Sequence, residues 1–259
     1  MKGNVENAKN SFISYLQSFP AGAFSPNAHY YLSAIYADQK NTALAMEHSG
    51  KVLEYPDNEF TEEAMVMNAS FLMNEKKYKE ALPVYKRLKE KASTVENRSL
   101  AQTGILRSAY FSGESKDAIN AATELLANKK LTPELVNEAT YYRAKAYLAL
   151  NEDKAAIKDL QTLAKDTRTL YGAEAKYLLA QLYFNTGQTA LAEKEALNYI
   201  DQSTPHIYWL ARSFVLLSDV YDSLGKKLDA KQYLLSLQQN YTEKDDIQEM
   251  INSRLAKLK

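Results

Sequence analysis

"EAKYLLAQLYFNTGQTALAEKEALNYI", residues 174–200, decides the fold of this 259-residue chain. Small residues stand at Ala180, Gly187 and Ala192, with an aromatic at Tyr183. The same order recurs along the chain. The later alanine repeats as Ala8, Ala45, Ala81, Ala118, Ala156, Ala192 and Ala230, at spacings of 37, 36, 37, 38, 36 and 38. A bulky residue repeats as Tyr36, Leu72, Tyr110, Tyr147, Tyr183 and Tyr221, at spacings of 36, 38, 37, 36 and 38. One alanine match means nothing; two ladders in step down a whole chain mark an internal repeat. "AHYYLSAIY" (28–36), "ATYYRAKAY" (139–147), "AKYLLAQLY" (175–183) and "SFVLLSDVY" (213–221) align without gaps.

Each of these stretches leads into a short polar break and then a second helical pattern. Gly187 and Gly225 fall where a helix would end in a left-handed cap. Pro56, Pro133 and Pro205 fall between units, where proline ends one helix or starts the next. The ladders therefore predict antiparallel helix pairs in close contact, since small side chains let two helices approach to about 8 Å. One such hairpin cannot bury its apolar face alone, and stacking supplies the missing cover.

Composition agrees. Lys plus Arg and Asp plus Glu are 32 each, so the formal net charge is zero, and a nucleic-acid binder would show a basic excess. With 8 glycines and 6 prolines the chain is poor in turn residues, which suits long helices. It has no cysteine, so disulfides, thiol catalysis and thiolate metal sites are excluded. No apolar run nears the roughly 18 residues that would span a bilayer. The opening "MKGNVENAKNSFISYL" has no hydrophobic signal core.

The small–Tyr–Gly–Ala order resembles the tetratricopeptide repeat family. The resemblance runs from Ala8 to about Tyr241 and is weakest near Leu100, where Arg107 occupies the small position. It implies an all-α, right-handed superhelical solenoid of antiparallel helix pairs, forming a single domain over residues 1–259. The expected parts are a half repeat (1–20), repeats at 26–60, 62–96, 100–131, 137–171, 173–205 and 211–241, and a capping helix at 242–259. First helices are expected to start near Pro26, Glu62, Leu100, Asn137, Ala173 and Ala211. The units average 37 residues, above the family's usual ~34. That length, with links such as "LEYPDNEF" (53–60), resembles a bacterial envelope subgroup. The outer-membrane barrel-assembly lipoprotein and the periplasmic Tol–Pal-associated protein belong to it.

The first helix, about Val5 to Phe19, reads as the second half of a unit, so the native chain is expected to continue upstream; the alternative is a natural capping helix. The tail opens with Thr242 and Asp245 in an approximate capping-box arrangement. Its apolar face, Ile247, Met250, Ile251, Leu255 and Leu258, reads as cover for the last unit.

No catalytic motif is present. His29, His48 and His206 lack metal-ligand spacing, and there is neither a phosphate-binding glycine loop nor a nucleophile elbow. No catalytic activity, cofactor or metal is expected. The basic run "NEKKYKEALPVYKRLKEK" (74–91) is interleaved with Glu75, Glu80 and Glu90 and reads as a solvated helix face.

The resemblance implies a concave groove lined by the first helices. Carried over residue by residue, the groove positions are Tyr30, Met73, Phe111, Tyr141, Lys145, Leu148, Tyr177, Gln181, Phe184, Arg212, Asp219 and Asp222. Tyr141, Tyr177 and Phe184 are the expected anchors. Position 6, which would carry the Asn of a chaperone-tail clamp, holds Tyr31, Met67, Ile105, Tyr142, Leu178 and Leu216, so that clamp is absent. The expected function is a non-catalytic scaffold that binds a peptide segment or partner helix. Its expected setting is an envelope assembly, periplasmic or outer-membrane-associated. The alternatives are a cytoplasmic scaffold or regulator, and a docking module of a larger protein.

Overall fold

The computed structural model describes residues 2–258, and the side chains from Asn4 to Leu258. Among these residues there are fourteen helices and no strand. They fall into two compact units, Met1–Leu125 and Leu126–Lys259.

The first unit holds α1 (Lys2–Ser18), α2 (Ser25–Asp38), α3 (Thr42–Val52), α4 (Thr61–Asn74), α5 (Tyr78–Lys91), α6 (Val95–Phe111) and α7 (Ser115–Leu126). From α1 to α6 each helix packs on the next, and α4 also touches α6. The second unit holds α8 (Pro133–Ala149), α9 (Asp153–Leu163), α10 (Leu170–Asn185), α11 (Thr189–Ile200), α12 (Ile207–Ser223), α13 (Lys227–Asn240) and α14 (Ile247–Lys257). Here each helix packs on the next, and α8, α10 and α12 form a row of first helices in contact. The expected all-α array of helix pairs is the fold.

From its second rung on, the alanine ladder is the core; Ala8, the first rung, is half-buried on α1. Ala45, Ala81, Ala118, Ala156, Ala192 and Ala230 are all fully buried. Of the facing small residues, Ser33, Ala69, Ala144 and Ala180 are fully buried and Ser218 nearly so. Buried polar groups find partners across the pairs. Ser33 Oγ donates to the Ala45 carbonyl at 2.7 Å. Asn68 Nδ2 donates to the Met46 carbonyl and to Ser49 Oγ, each at 3.1 Å. Lys176 pairs with Glu195 across α10 and α11.

The ladder of bulky residues needs one correction. Six turns join the helix pairs, each with one residue at positive φ: Lys40, Lys76, Gly113, Asn151, Gly187 and Gly225. In each, the next amide donates back five residues, to the carbonyls of Tyr36, Leu72, Ala109, Tyr147, Tyr183 and Tyr221. This is the Schellman cap, which satisfies carbonyls left over at a helix end. The third rung is therefore Ala109, not Tyr110, and the small position is Leu106, not Arg107. Arg107 is exposed, Leu106 fully buried. With that shift every rung stands nine residues before its ladder alanine.

Glycine takes the left-handed conformation without a Cβ clash; other residues meet one. Lys40→Gly and Lys76→Gly should each stabilise the first unit by about 1 kcal/mol, the relief of strain exceeding the extra unfolded-chain entropy. Urea unfolding followed by circular dichroism measures this; a loss of stability in either variant would contradict the cap assignment.

From the third repeat on, first helices start earlier than expected, at Val95, Pro133, Leu170 and Ile207. Threonine caps set three of these starts: Thr94, Thr132 and Thr169 accept from the amides of Asn97, Leu135 and Gly172 at 3.1, 3.3 and 3.0 Å. These helices run to 16 or 17 residues, against 14 in α2 and α4. Pro133 is the first helical residue of α8, where its missing N–H costs nothing.

At the C-terminus Ile247 and Ile251 are fully buried and Leu258 nearly so, and α14 packs on α12 and α13. The expected capping box does not form. The helix opens at Ile247, so Thr242 lies in the link before it, and Asp245 Oδ1 accepts the Ile247 amide at 3.0 Å. In the first unit the basic run is drawn into ion pairs: Lys86 with Asp117 at 2.7 Å, and Arg87 with Asp57 at 2.7 Å. Such exposed pairs contribute at most about 1 kcal/mol each.

Candidate groove surfaces on the first helices

The predicted groove residues divide between the two units. In the first unit, Met73 and Phe111 line a cleft of about 320 Å³ between α4, α5 and α6. Phe111 is 48% exposed and stacks on Tyr78, with ring centroids 4.9 Å apart. Leu100, Thr103, Arg107 and Asn74 complete the rim, and Tyr85 and Gly104 the floor. A Cβ at Gly104 would collide with the Tyr85 ring, so glycine there lets α5 and α6 close together. Burial pushes the Tyr85 phenol above its ordinary pKa, and a hydrogen bond with Ser70 opposes the shift. A cleft with aromatic walls and polar groups among them suits a protruding side chain of a partner.

With the register shift at Ala109, the groove position expected at Phe111 falls one residue earlier, on Tyr110. Phe111 reaches the cleft all the same, through its stack on Tyr78. Tyr30 stands apart from that cleft. It stacks on Phe60 at 4.6 Å, in a cluster with Tyr31 and, through Tyr31, Phe12.

In the second unit the predicted residues are tied to one another. Lys145 Nζ bonds Glu174 at 3.1 Å and lies 5.8 Å from the Tyr141 ring centre. Arg212 lies over the Tyr177 ring at 5.0 Å and donates to its hydroxyl at 2.9 Å. It also donates to the Tyr208 hydroxyl at 3.1 Å. Asp219 accepts two bonds from Arg254 of α14, at 2.7 and 2.8 Å, so the terminal helix engages this position itself. Asp222 is exposed beside it. Leu148, Gln181 and Phe184 are half-buried.

Two of the three expected anchors are closed. Tyr141 is 7% exposed and Tyr177 3%. Each ring is covered from the following unit: Tyr171 stacks on Tyr141 at 4.6 Å, and Trp209 lies against Tyr177 at 5.6 Å. These rings bind one helix pair to the next. The half-buried Phe184 packs against the core at the C-terminal end of the chain. The sequence reading missed the covering aromatics Phe60, Tyr171 and Trp209. A signal exists: they follow Tyr30, Tyr141 and Tyr177 by 30, 30 and 32 residues.

Residues 104–171 match a tetratricopeptide repeat family model. No curated protein matches the chain in sequence. Among solved structures, YrrB, a tetratricopeptide protein with an unusual peptide-binding site, superposes with a TM-score of 0.54 at 18% identity, over 82% of this chain and 100% of that one. MamA gives 0.53 at 20% identity, over 73% and 96%. The Naa15/Naa10 structure with HypK-THB bound gives 0.57 at 14% identity, over 97% of this chain and 39% of that one. At these identities the likeness is one of fold.

Proposed function

We propose that this chain is a non-catalytic scaffold that binds a peptide segment or partner helix, with the cleft of the first unit as its main anchoring site. The observation that carries this reading is the half-exposed Phe111 ring stacked on Tyr78, set beside Met73 and Leu100 with Arg107, Asn74 and Thr103 at the rim. Interfaces draw most of their energy from a few aromatic or long apolar anchors set in a pocket with polar neighbours. The likeness to YrrB supports a peptide as the ligand class.

Selection from a peptide library on the purified chain tests this. Phe111→Ala and Met73→Ala should each weaken the selected peptides by about tenfold or more, a typical hot-spot loss. Substituting the buried Tyr141 or Tyr177 would confuse binding with folding. Binders indifferent to both cleft variants would remove the reading.

The proposed setting is a bacterial envelope assembly, periplasmic or outer-membrane-associated, on the strength of the unit length and the inter-unit links. Among the described residues no helix is long and apolar enough to cross a membrane. A signal peptide or lipid-attachment site in the native gene would support the envelope setting, and a cytoplasmic scaffold would lack both.

A further inference from the structure

His29 of α2 and His48 of α3 are nineteen residues apart, with Nδ1 atoms 2.8 Å from each other. The ring centroids are 5.0 Å apart, and both side chains are half-buried. Tyr36 stacks on His48 at 5.5 Å and Tyr55 lies beside His29 at 6.1 Å. The sequence reading treated these histidines as unrelated residues. Their geometry is that of a hydrogen bond between two imidazoles, in which one Nδ1–H donates and the other Nδ1 accepts. Among the described residues no group of three or more His, Cys, Asp or Glu side chains could hold a metal ion. Each ring can take up a proton.

We infer that the His29–His48 pair is an acid-released latch that holds α2 to α3 at neutral pH and frees the first helix pair on acidification. The chemistry has two steps. A first proton can settle on Nε2 of the donor ring, leaving the bond intact and charge-assisted. A second must take the lone pair of the accepting Nδ1. The bond is then gone, and two cations face each other across a hydrogen-bond distance. The pair titrates as a unit, in two macroscopic steps.

The surroundings favour the uncharged pair. Burial is the first cause lowering the pKa of each ring; His29 falls to about 4, helped by His48 and Lys51 and opposed by Glu54. For His48 burial lowers and Glu47 raises. Glu54 is itself held by Lys51 at 3.0 Å. From α1, Lys9 lies over the Tyr36 ring at 6.0 Å, with Glu6 bonded to it at 2.9 Å. From α4, the side chain that bonds to α3 is Asn68, which carries no charge. Because both rings hold protons less tightly folded than unfolded, their stabilisation is complete above the ordinary histidine pKa of about 6.5 and lost as pH falls towards 4.

The test uses the whole chain. Histidine ring resonances followed by NMR from pH 8 to pH 3.5 should show two separated steps for His29 and His48, with the lower near 4. Amide protection in α2 and α3, corrected for the intrinsic pH dependence of exchange, should drop by about tenfold or more by pH 4 relative to α10 and α11. In the His29→Gln/His48→Gln double variant this selective drop should vanish. Independent titration of both rings near 6.5, or the same selective loss in the double variant, would overturn the latch. If the double variant does not fold, the wild-type ring titration decides alone.

Discussion

Gly172→Ala is expected to destabilise the second unit by about 3 kcal/mol, the upper end of overpacking costs. Gly172 is buried in the first turn of α10. A Cβ there would run into the Asp166 carbonyl and meet the Leu163 carbonyl oxygen at 2.8 Å. Both are backbone atoms, and the link that holds Asp166 is pinned. Its carbonyl accepts from Thr169 Oγ1 at 3.0 Å, while Thr169 caps the Gly172 amide at 3.0 Å and Thr204 Oγ1 bonds the Thr167 carbonyl at 2.8 Å. Relief therefore means breaking bonds rather than turning a side chain. Gly50→Ala, on α3 of the first unit and followed by circular dichroism, is the control. Its Cβ would meet only Asn68 Nδ2, at an ordinary 3.4 Å, and alanine favours the helix by about 1 kcal/mol. Trp209, the sole tryptophan, lies in α12 of the second unit, and its fluorescence reports on that unit during urea unfolding. A Gly172→Ala protein as stable as the parent would show that the α9–α10 link is not packed as described.

Asp159→Ala should cost a similar amount, about 3 kcal/mol. Asp159 is 5% exposed and accepts two hydrogen bonds from Arg143, at 2.7 and 2.8 Å, joining α8 to α9. The Arg143 pKa is raised, first of all by these bonds, with burial opposing. Removing the carboxylate leaves a half-buried guanidinium without its main counter-charge, the costly half of breaking such a pair. Replacing both partners by apolar residues, Arg143→Met with Asp159→Leu, should recover most of the loss, because desolvation of the two charges disappears with them. The same tryptophan signal follows this cycle. A single variant within about 0.5 kcal/mol of the parent, the range of ordinary surface substitutions, would contradict the buried-pair assignment.

The residue pattern of 174–200 was enough to read the helix pairs, their number and the alanines at their contacts. Those features are local: a small residue every 36 to 38 positions and a glycine after the first helix act through neighbours in the chain. Gly187 and Gly225 were legible as caps for the same reason. Lys40 and Lys76 were not, because nothing in lysine's chemistry announces a left-handed conformation; Asn151 carried a weak signal, since asparagine tolerates that conformation better than most residues. The third repeat was misread by one residue, since Tyr110 resembled its counterparts more than Ala109 did. Only the turn around Gly113, with Glu114 bonded back to Ala109, showed the true register.

Groove and core could not be told apart from spacing, because a tyrosine at a groove position looks the same whether or not the next unit covers it. Tertiary packing made that choice: Tyr171 and Trp209 closed over Tyr141 and Tyr177, while Phe111 keeps about half of its surface exposed. It also brought His29 to His48, a meeting that depends on how α2 lies on α3. Sequence by itself determined which helices form and which small residues join them, since propensity and periodicity act over one or two turns. Only the folded chain decided which aromatic rings remain open to a partner and which ionisable groups meet, because both depend on contacts between residues far apart in the chain.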